Sequence, residues 1–241
     1  MSKKVKVILL IVAGLAVTAA VLLFLLLGPL KKEKPPAPAP GPEMKAGDIV
    51  SFGEYKGGTV EWLVLETDGE KAFLLSSCAL ECRTYHDRNE EVTWKTSELR
   101  KWMNSVMFNL MFSDEERARI LTTTVLNEDN PEHGTPGGEE TDDRMFLLSL
   151  GEVEKYLPSD ADRICRATRY AKKQGVFTDA YSACYWWLRT PGSKSNKAAC
   201  IGLEGNIGFP GAIVGGTDPV QRIITHEMIA VRPAMWITLE P

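Results

Sequence analysis

The chain has 241 residues, 44% of them hydrophobic and 25% charged, and its formal net charge is −4. The first 43 residues hold six Lys and two Glu, so residues 44–241 carry 22 basic and 30 acidic side chains, a net of −8. So acidic a domain argues against nucleic acid as a partner and against a surface that lies flat on anionic lipid.

The first predicted element is a single transmembrane helix over residues 7–27. Val7 to Leu27 is an uncharged run of 21 residues, which as a helix is about 31 Å long and matches the hydrocarbon thickness of a bilayer. The alternative is a cleaved signal peptide, which has a shorter apolar core and a small-residue cleavage site. Residues 28–34, GPLKKEK, offer no such site, so we favour an uncleaved anchor.

Three lysines lie on each side of this span, so the positive-inside rule is nearly balanced. The free amino group at Met1 and the acid Glu33 on the far side both favour a cytoplasmic N-terminus. We therefore predict a cytoplasmic tail at 1–6, a stiff Pro-rich linker at 28–43 and an extracytoplasmic domain at 44–241, held at the cell membrane by residues 7–27.

Three apolar segments open the domain, at Asp48 to Phe52, Glu61 to Glu66 and Lys71 to Ser76. The Asp-Gly dipeptide in the TDGE turn between the last two segments is typical of a tight hairpin. This pattern predicts an antiparallel meander.

Helical signals follow. Ser97 is placed to cap a helix whose apolar residues recur at i, i+3, i+4 and i+7, and we expect that face to be buried in the core. Its members are Leu99, Trp102, Met103 and Val106. Ser113 and Glu116 form a capping box for a second short helix, and residues 121–127 are predicted as a strand.

Residues 127–144, NEDNPEHGTPGGEETDDR, contain seven carboxylates and almost no apolar side chains. An oxygen-rich turn suits a calcium ion, but the alternate-residue carboxylate spacing of known calcium loops is missing. We therefore expect a solvated insertion and no metal site.

A short strand is predicted at Met145 to Leu148, followed by a helix that Ser149 and Glu152 cap and that ends at Leu157. A longer helix is predicted from Asp160 to Lys173, with an apolar stripe that includes Cys165. The opposite face carries four basic side chains, which either grip an anionic ligand or form a solvated face on an acidic domain. They are Arg163, Arg166, Arg169 and Lys173.

Tyr185 to Gly192, YWWLRTPG, alternates with the period of a strand that Pro191 and Gly192 terminate. We predict that it is a central strand and that Ala230 to Thr238 lies beside it as the C-terminal strand. LEGNIG at 203–208 is typical of a hairpin turn. The glycine-rich loop at 211–216 lacks the residues of a phosphate loop, so nucleotide binding is not expected.

The five cysteines cannot all pair within one chain because their number is odd. Cys78 with Cys82, and Cys184 with Cys200, are each placed to close a small loop in an oxidising compartment, or all five are buried thiols. Cys165 is predicted to be a buried free thiol in either case. The sequence has no CxxC motif, and its histidines lack ligand-like spacing, so a zinc site and other cofactors are not expected.

Seven blocks between residues 45 and 240 resemble the bacterial DUF6273 family. They include GDIVSFGEY at 47–55, SELRKWMN at 97–104, FLLSLGEVEKYL at 146–157, YWWLRTPG at 185–192 and VRPAMWI at 231–237. The resemblance implies an extracytoplasmic module of gut-type Gram-positive bacteria.

A more distant similarity concerns architecture alone. The order of an early hairpin, helices, a W-x-R strand and a closing strand is similar to C-type-lectin-like folds and to formylglycine-generating enzymes. The expected fold class is thus α+β, with one C-type-lectin-like domain of antiparallel sheet, short helices and long loops after the transmembrane helix. The reactive cysteine pair of those enzymes and the calcium-binding tripeptides of lectins are missing from the sequence.

The leading functional hypothesis is a membrane-anchored module that binds a glycan or peptide at the cell envelope. Five residues are its candidate ligand contacts because they lie on or beside the predicted irregular loops. They are Trp187, Arg189, Asn196, Asn206 and Arg232. The alternatives are a structural component of an envelope complex and, less favoured, a formylglycine-generating-type enzyme, and we expect no catalytic activity.

Overall fold

The computed structural model describes residues 44–216 and 228–239, so the predicted span at 7–27 and its flanks lie outside the described residues. Within the described ranges, no helix is long and apolar enough to cross a membrane. The first strands are β1 Ile49–Tyr55, β2 Gly58–Thr67, β3 Lys71–Ser76, β4 Cys78–Ala79, β5 Glu81–Cys82, β6 Thr123–Val125 and β7 Thr141–Asp143. The later strands are β8 Cys165–Ala167, β9 Ala183–Cys184, β10 Trp186–Pro191, β11 Lys197–Ile201, β12 Ile207–Ile213, β13 Ala230–Val231 and β14 Ala234–Thr238.

The helices are short. They are α1 Glu98–Trp102, a π-helical segment Met103–Met107, α2 Phe108–Met111, α3 Asp114–Arg119, α4 Leu150–Tyr156, α5 Asp160–Arg163 and α6 Arg169–Lys173. Ser97, Ser113, Ser149, Ser159 and Thr168 cap five of them through side-chain oxygens. The capping boxes predicted at Ser113 and Ser149 are both confirmed.

Four sheets arrange these strands around one hydrophobic core. The largest two have the orders β1-β2-β3-β14 and β12-β11-β10-β13-β5, while β4-β8-β9 and β6-β7 form smaller sheets. Most strand pairs are antiparallel, and β10 with β13 and β4 with β8 are parallel. The predicted α+β class with antiparallel sheets and short helices is confirmed.

The predicted meander is formed by β1, β2 and β3. In the turn between β2 and β3, the carboxylate of Asp68 accepts hydrogen bonds from the amides of Glu70 (3.0 Å) and Lys71 (2.9 Å). Gly69 has φ +90°, a conformation that glycine adopts without a steric cost. The Asp-Gly turn therefore forms for the physical reason that the sequence indicates.

The predicted central strand is confirmed as β10, which is buried at every position and lies in the middle of the five-stranded sheet. The prediction that Ala230 to Thr238 lies beside this strand is only partly correct. Ala230 pairs in parallel with Trp186, but residues 234–238 leave this sheet and pair with β3. Pro233 separates the two parts, and because it has no amide hydrogen it cannot continue a strand ladder.

The predicted helix from Asp160 to Lys173 is wrong, because a strand interrupts it. Ser159 caps a first turn with Asp162, and Thr168 caps a second helix through the amide of Ala171. Between them, residues 165–167 alternate buried, exposed, buried and pair with both β4 and β9. Cys165 is nevertheless buried, with 1% of its surface exposed.

The helical stripe after Ser97 departs from its predicted face at the π-helical segment. Leu99 and Met103 are fully buried as expected, but Val106 is 48% exposed. A π turn adds a residue to the turn, which rotates the following side chains around the axis. Met107 and Phe108 therefore face the core in place of Val106.

The sequence predicts a solvated insertion at residues 127–144, but the structure buries part of this segment. Asn130 is 1% exposed, and its side-chain amide donates to the carbonyls of Pro191 (2.8 Å) and Phe209 (3.1 Å). Asp143, also 1% exposed, accepts from Trp94 Nε1 (2.9 Å) and Arg100 Nε (2.7 Å). Asn130 thus fixes the segment to β10 and β12, and Asp143 fixes it to α1 and to the loop before that helix. The predicted strand at residues 145–148 reduces to one bridge between Phe146 and Ala234.

Candidate functional site

Three of the five candidate ligand contacts are buried. Trp187, Arg189 and Arg232 expose 0%, 4% and 3% of their surface. Trp187 donates its indole N–H to the carbonyl of Arg83 (3.0 Å) and packs against the ring of Tyr85. Each of these side chains has partners inside the domain, so the geometry does not favour their predicted role as ligand contacts.

Arg189 forms a partly buried ion pair with Glu152 of α4, in which the arginine side chain is 3% and the glutamate side chain 26% exposed. Both terminal nitrogens of its guanidinium donate to the carboxylate, with Nη2 at 2.9 Å from Oε1. The same guanidinium donates to the carbonyls of Leu126 (3.2 and 3.1 Å) and Leu147 (2.7 Å). This bidentate pair joins β10, α4 and the segment after β6.

Arg232 has a different environment. Its Nε donates to the carbonyl of Ser76 (2.9 Å), and its guanidinium carbon lies 4.9 Å from the centre of the Trp186 ring. Its Nη1 is buried without a hydrogen-bond partner among the described residues. Arg232 is therefore held by a carbonyl and an aromatic face, in contrast to the carboxylate that holds Arg189.

The other two candidates are closer to the surface but lie far apart. Asn196 precedes β11 and donates to the side chain of Asn89 (2.7 Å), whereas the exposed Asn206 lies in the turn after that strand. The five residues of β11 separate them by about 17 Å. The structure therefore does not bring the five predicted residues together in one surface site.

Cys165 and Cys184 face each other across β8 and β9, and neither of them forms a disulfide. The loops that Cys78–Cys82 and Cys184–Cys200 pairs would close are not formed. Burial raises the pKa of the Cys165 thiol, but its contact with Cys184 and the guanidinium of Arg232 outweigh burial and lower it. The same contact and burial raise the pKa of Cys184.

A cleft of about 440 Å³ lies between β6, α4 and β14, and we call it the Trp236 cleft. Its apolar wall includes Trp236 and Tyr156, both partly buried. Its polar wall includes Thr123, Glu128, Glu152 and Lys155. This volume is in the range of small-molecule sites.

The aromatic wall of the Trp236 cleft is fixed from below by Phe73. The Trp236 ring stacks on Phe73 with centroids 4.9 Å apart and an interplanar angle of 12°. Tyr156 meets the same ring edge to face at 5.4 Å. Because Phe73 is 2% exposed, the two aromatic side chains are anchored to the core.

The rim of the cleft is fixed by a network around Glu66. Tyr156 Oη donates to Glu66 Oε2 (2.5 Å), and Lys155 Nζ donates to Glu66 Oε2 (2.8 Å) and to Tyr156 Oη (2.7 Å). The hydrogen bonds from Lys155 and Tyr156 lower the pKa of Glu66, and the bond to Glu66 raises that of Lys155. The orientations of Tyr156 and Lys155 are thereby set in advance of any ligand.

The sequence contains a signal for this cleft. In β14, Ala234, Met235 and Ile237 are buried, and Trp236 and Thr238 are only partly buried. Trp236 is the one large ring of that strand, and strand alternation turns it away from Met235 and Ile237. The sequence gives no comparable indication that Glu152 lines the cleft, because a glutamate at that position is already explained by the capping box of α4.

No group of three or more His, Cys, Asp or Glu side chains in residues 44–216 and 228–239 is arranged to hold a metal ion.

A comparison with protein families identifies the family to which this domain is similar. The sequence profile of the family described as Domain of unknown function (DUF6273) matches residues 69–239. No curated protein matches the chain, and no solved structure matches it. The match begins in the turn between β2 and β3, so the whole of β1 and β2 precedes it. The C-type-lectin-like architecture stays a prediction.

Proposed function

The chain belongs to the DUF6273 family, and on that premise we propose that its domain is a glycan-binding module of the cell envelope whose ligand lies in the Trp236 cleft. The observation that carries the proposal is the pairing of Trp236 and Tyr156 with a polar wall across the same cleft. The apolar face of a pyranose ring packs on an aromatic ring, while its hydroxyl groups need donors and acceptors. The cleft offers both kinds of contact.

The rigidity of the walls supports the proposal further. The aromatic pair is fixed by Phe73, and Glu152 is held by Arg189 from beneath. Side chains that are already ordered lose little conformational entropy when a ligand binds. A weak ligand such as a short oligosaccharide benefits most from such an arrangement.

In the same proposal, residues 7–27 span the membrane, the N-terminus is cytoplasmic and the domain is extracytoplasmic. The support is the uncharged run of 21 residues and the Pro-rich linker after it. Protease added to intact cells should release a fragment of about 22 kDa, the share of 26.7 kDa that residues 44–241 carry. Complete protection of the domain in intact cells, with cleavage after lysis, would contradict this topology.

The binding test is a calorimetric titration of the full chain with chitotetraose, a neutral N-acetylglucosamine oligomer, because a heat signal does not depend on the tryptophan that is replaced. Trp236→Ala should weaken binding roughly tenfold or more. Tyr156→Phe, which keeps the ring and removes the hydroxyl that bonds Glu66, should weaken it less. Trp102→Ala is the matched control, because Trp102 is also partly buried but lies on α1, outside the cleft.

A screen of envelope glycans and peptides against the same full chain tests whether the ligand is a glycan. Binding of any envelope oligosaccharide that depends on Trp236 supports it. Binding of peptides alone, or saccharide binding that Trp236→Ala and Trp102→Ala weaken equally, would refute the glycan site.

A further inference from the structure

A second concavity lies at the opposite edge of the four-stranded sheet, between the β1–β2 turn and α6. Its volume is about 380 Å³, and we call it the Tyr170 pocket. Three cations line it, Lys56 from the turn and Arg169 and Lys173 from α6, together with the rings of Tyr55 and Tyr170. An anionic ligand for Arg169 and Lys173 is one of the two interpretations that the sequence leaves open. That interpretation places them with Arg163 and Arg166 on one continuous helix, which the structure does not contain.

These cations lack the carboxylate partners that several other basic side chains of the domain have, a property that they share with Arg232 and Lys172. Arg100, Arg163 and Arg189 each contact an Asp or Glu. Within the part of the chain that the structure describes, Lys56, Arg169 and Lys173 form no ion pair, although the domain carries an excess of acids. The acid nearest to the rings is Glu81, which is 7% exposed and accepts the hydroxyl of Tyr55 (2.7 Å) without lining the pocket.

The conformation of Lys56 is the second observation. Lys56 has φ +52° and Gly57 has φ +83°, so both central residues of the two-residue turn lie in the left-handed region. Asn or Gly adopts this conformation more easily than Lys does, and Asn-Gly is the favoured pair for such a turn. The turn nevertheless holds a lysine, whose Nζ lies 5.5 Å from the centre of the Tyr55 ring and 5.4 Å from that of Tyr170.

A strained backbone at a residue that places a cation over two rings indicates that the cation has a functional role, such as ligand binding. We propose that the Tyr170 pocket binds the phosphate group of a small phosphorylated polyol or saccharide. A phosphate monoester carries about −1.5 to −2 charges at pH 7 and three acceptor oxygens, which suits three separate cationic donors. A carboxylate offers only two oxygens and one charge, and the two tyrosine rings provide a surface for the carbon skeleton.

The test is calorimetric titration of the full chain with glycerol 3-phosphate at low ionic strength. Lys56→Asn should weaken binding roughly fivefold, the effect of removing one exposed ionic contact. The same substitution should leave the melting temperature unchanged or raise it, because Asn suits the turn better. A loss of stability together with a loss of binding would indicate that Lys56 has a structural role, and would overturn the proposal.

Lys172→Gln is the control with the same change in net charge. Lys172 lies on α6 but outside the pocket, and its Nζ donates to Ser182 Oγ (3.0 Å). If Lys172→Gln and Lys173→Gln lower the affinity for glycerol 3-phosphate equally, the binding depends only on the net charge of the domain, and the site is refuted. Trp236→Ala should leave phosphate binding intact, so failure of the Trp236 cleft and failure of this pocket are distinguishable.

Three ligand comparisons complete the experiment. Glycerol should not bind, and glycerate, the carboxylate analogue, should bind more weakly than glycerol 3-phosphate. Equal binding of glycerate would overturn the assignment to phosphate. If inorganic phosphate binds as tightly as glycerol 3-phosphate, the pocket does not recognise the attached alcohol. If neither phosphate binds at 10 mM, about the weakest range of specific recognition, the pocket is not a phosphate site.

Discussion

Replacement of Arg189 by methionine tests whether the partly buried ion pair with Glu152 stabilises the domain. Methionine keeps most of the apolar stem but removes the guanidinium. The change leaves the Glu152 carboxylate, whose side chain is only 26% exposed, without its cation. It also removes the donors that the carbonyls of Leu126 and Leu147 accept from. Breaking one partner of a buried pair costs about 3 to 5 kcal/mol.

The lower part of that range applies here, because the quarter of Glu152 that is exposed retains some hydration. We expect a loss of about 3 kcal/mol, a large fraction of the 5 to 15 kcal/mol that is typical of a folded domain. At about 2 to 4 °C per kcal/mol for a domain of this size, the melting temperature should fall by about 6 to 12 °C. Thermal unfolding of the full chain, followed by tryptophan fluorescence, measures the shift.

Two variants make the Arg189 experiment specific. Glu152→Gln can still cap α4 and leaves Arg189 bonded to two carbonyls, so it should cost less than Arg189→Met. Arg117→Met is the control, because Arg117 pairs with an Asp114 side chain that is 91% exposed and such pairs contribute at most about 1 kcal/mol. If Arg189→Met melts no lower than Arg117→Met, the ion pair does not have the role that we derive from its geometry.

Asn130→Asp keeps the shape of the side chain but removes both N–H donors to Pro191 and Phe209, so unfolding in urea should show a loss of about 2 to 4 kcal/mol; Asn196→Asp, on the surface, should change stability far less. Arg232→Met should cost only about 1 kcal/mol, because it leaves no carboxylate unpaired and removes a buried Nη1 without a partner; a loss as large as that of Arg189→Met would contradict this difference. Cys165 should resist N-ethylmaleimide in the native full chain and react after denaturation, since it is 1% exposed; mass spectrometry that finds it in a disulfide would refute its assignment as a free thiol.

The sequence predicts elements well where local chemistry and the final fold agree. The Asp68-Gly69 turn, the serine caps and the burial of β10 each depend on contacts within a few residues or on strand alternation. The helix predicted at Asp160 to Lys173 fails because Cys165–Ala167 has two strands to pair with, and pairing across the fold outweighs a helical period. The distant partners of these residues are not visible in a local pattern.

The candidate site shows the same limit. Arg189 and Arg232 look alike in the sequence, each being a charge inside an apolar strand. Only the structure gives one of them a carboxylate and the other a carbonyl with an aromatic face. The Tyr170 pocket is harder still to predict, since it joins a turn near residue 56 to a helix near residue 170.

The segment at residues 230–238 determines when the domain can finish folding. It pairs with β5 and β10 in one sheet, pairs with β3 in the other, and bridges to Ile120 and Phe146. The ribosome makes this segment after every other described strand, so during synthesis β3 has an open edge and both large sheets are incomplete. Open edges favour pairing with other chains, and contacts this distant in sequence form slowly. We therefore expect the nascent domain to be prone to aggregation until residue 238 has emerged, and a chain that stops before residue 230 to be degraded and not to accumulate as a partly active fragment.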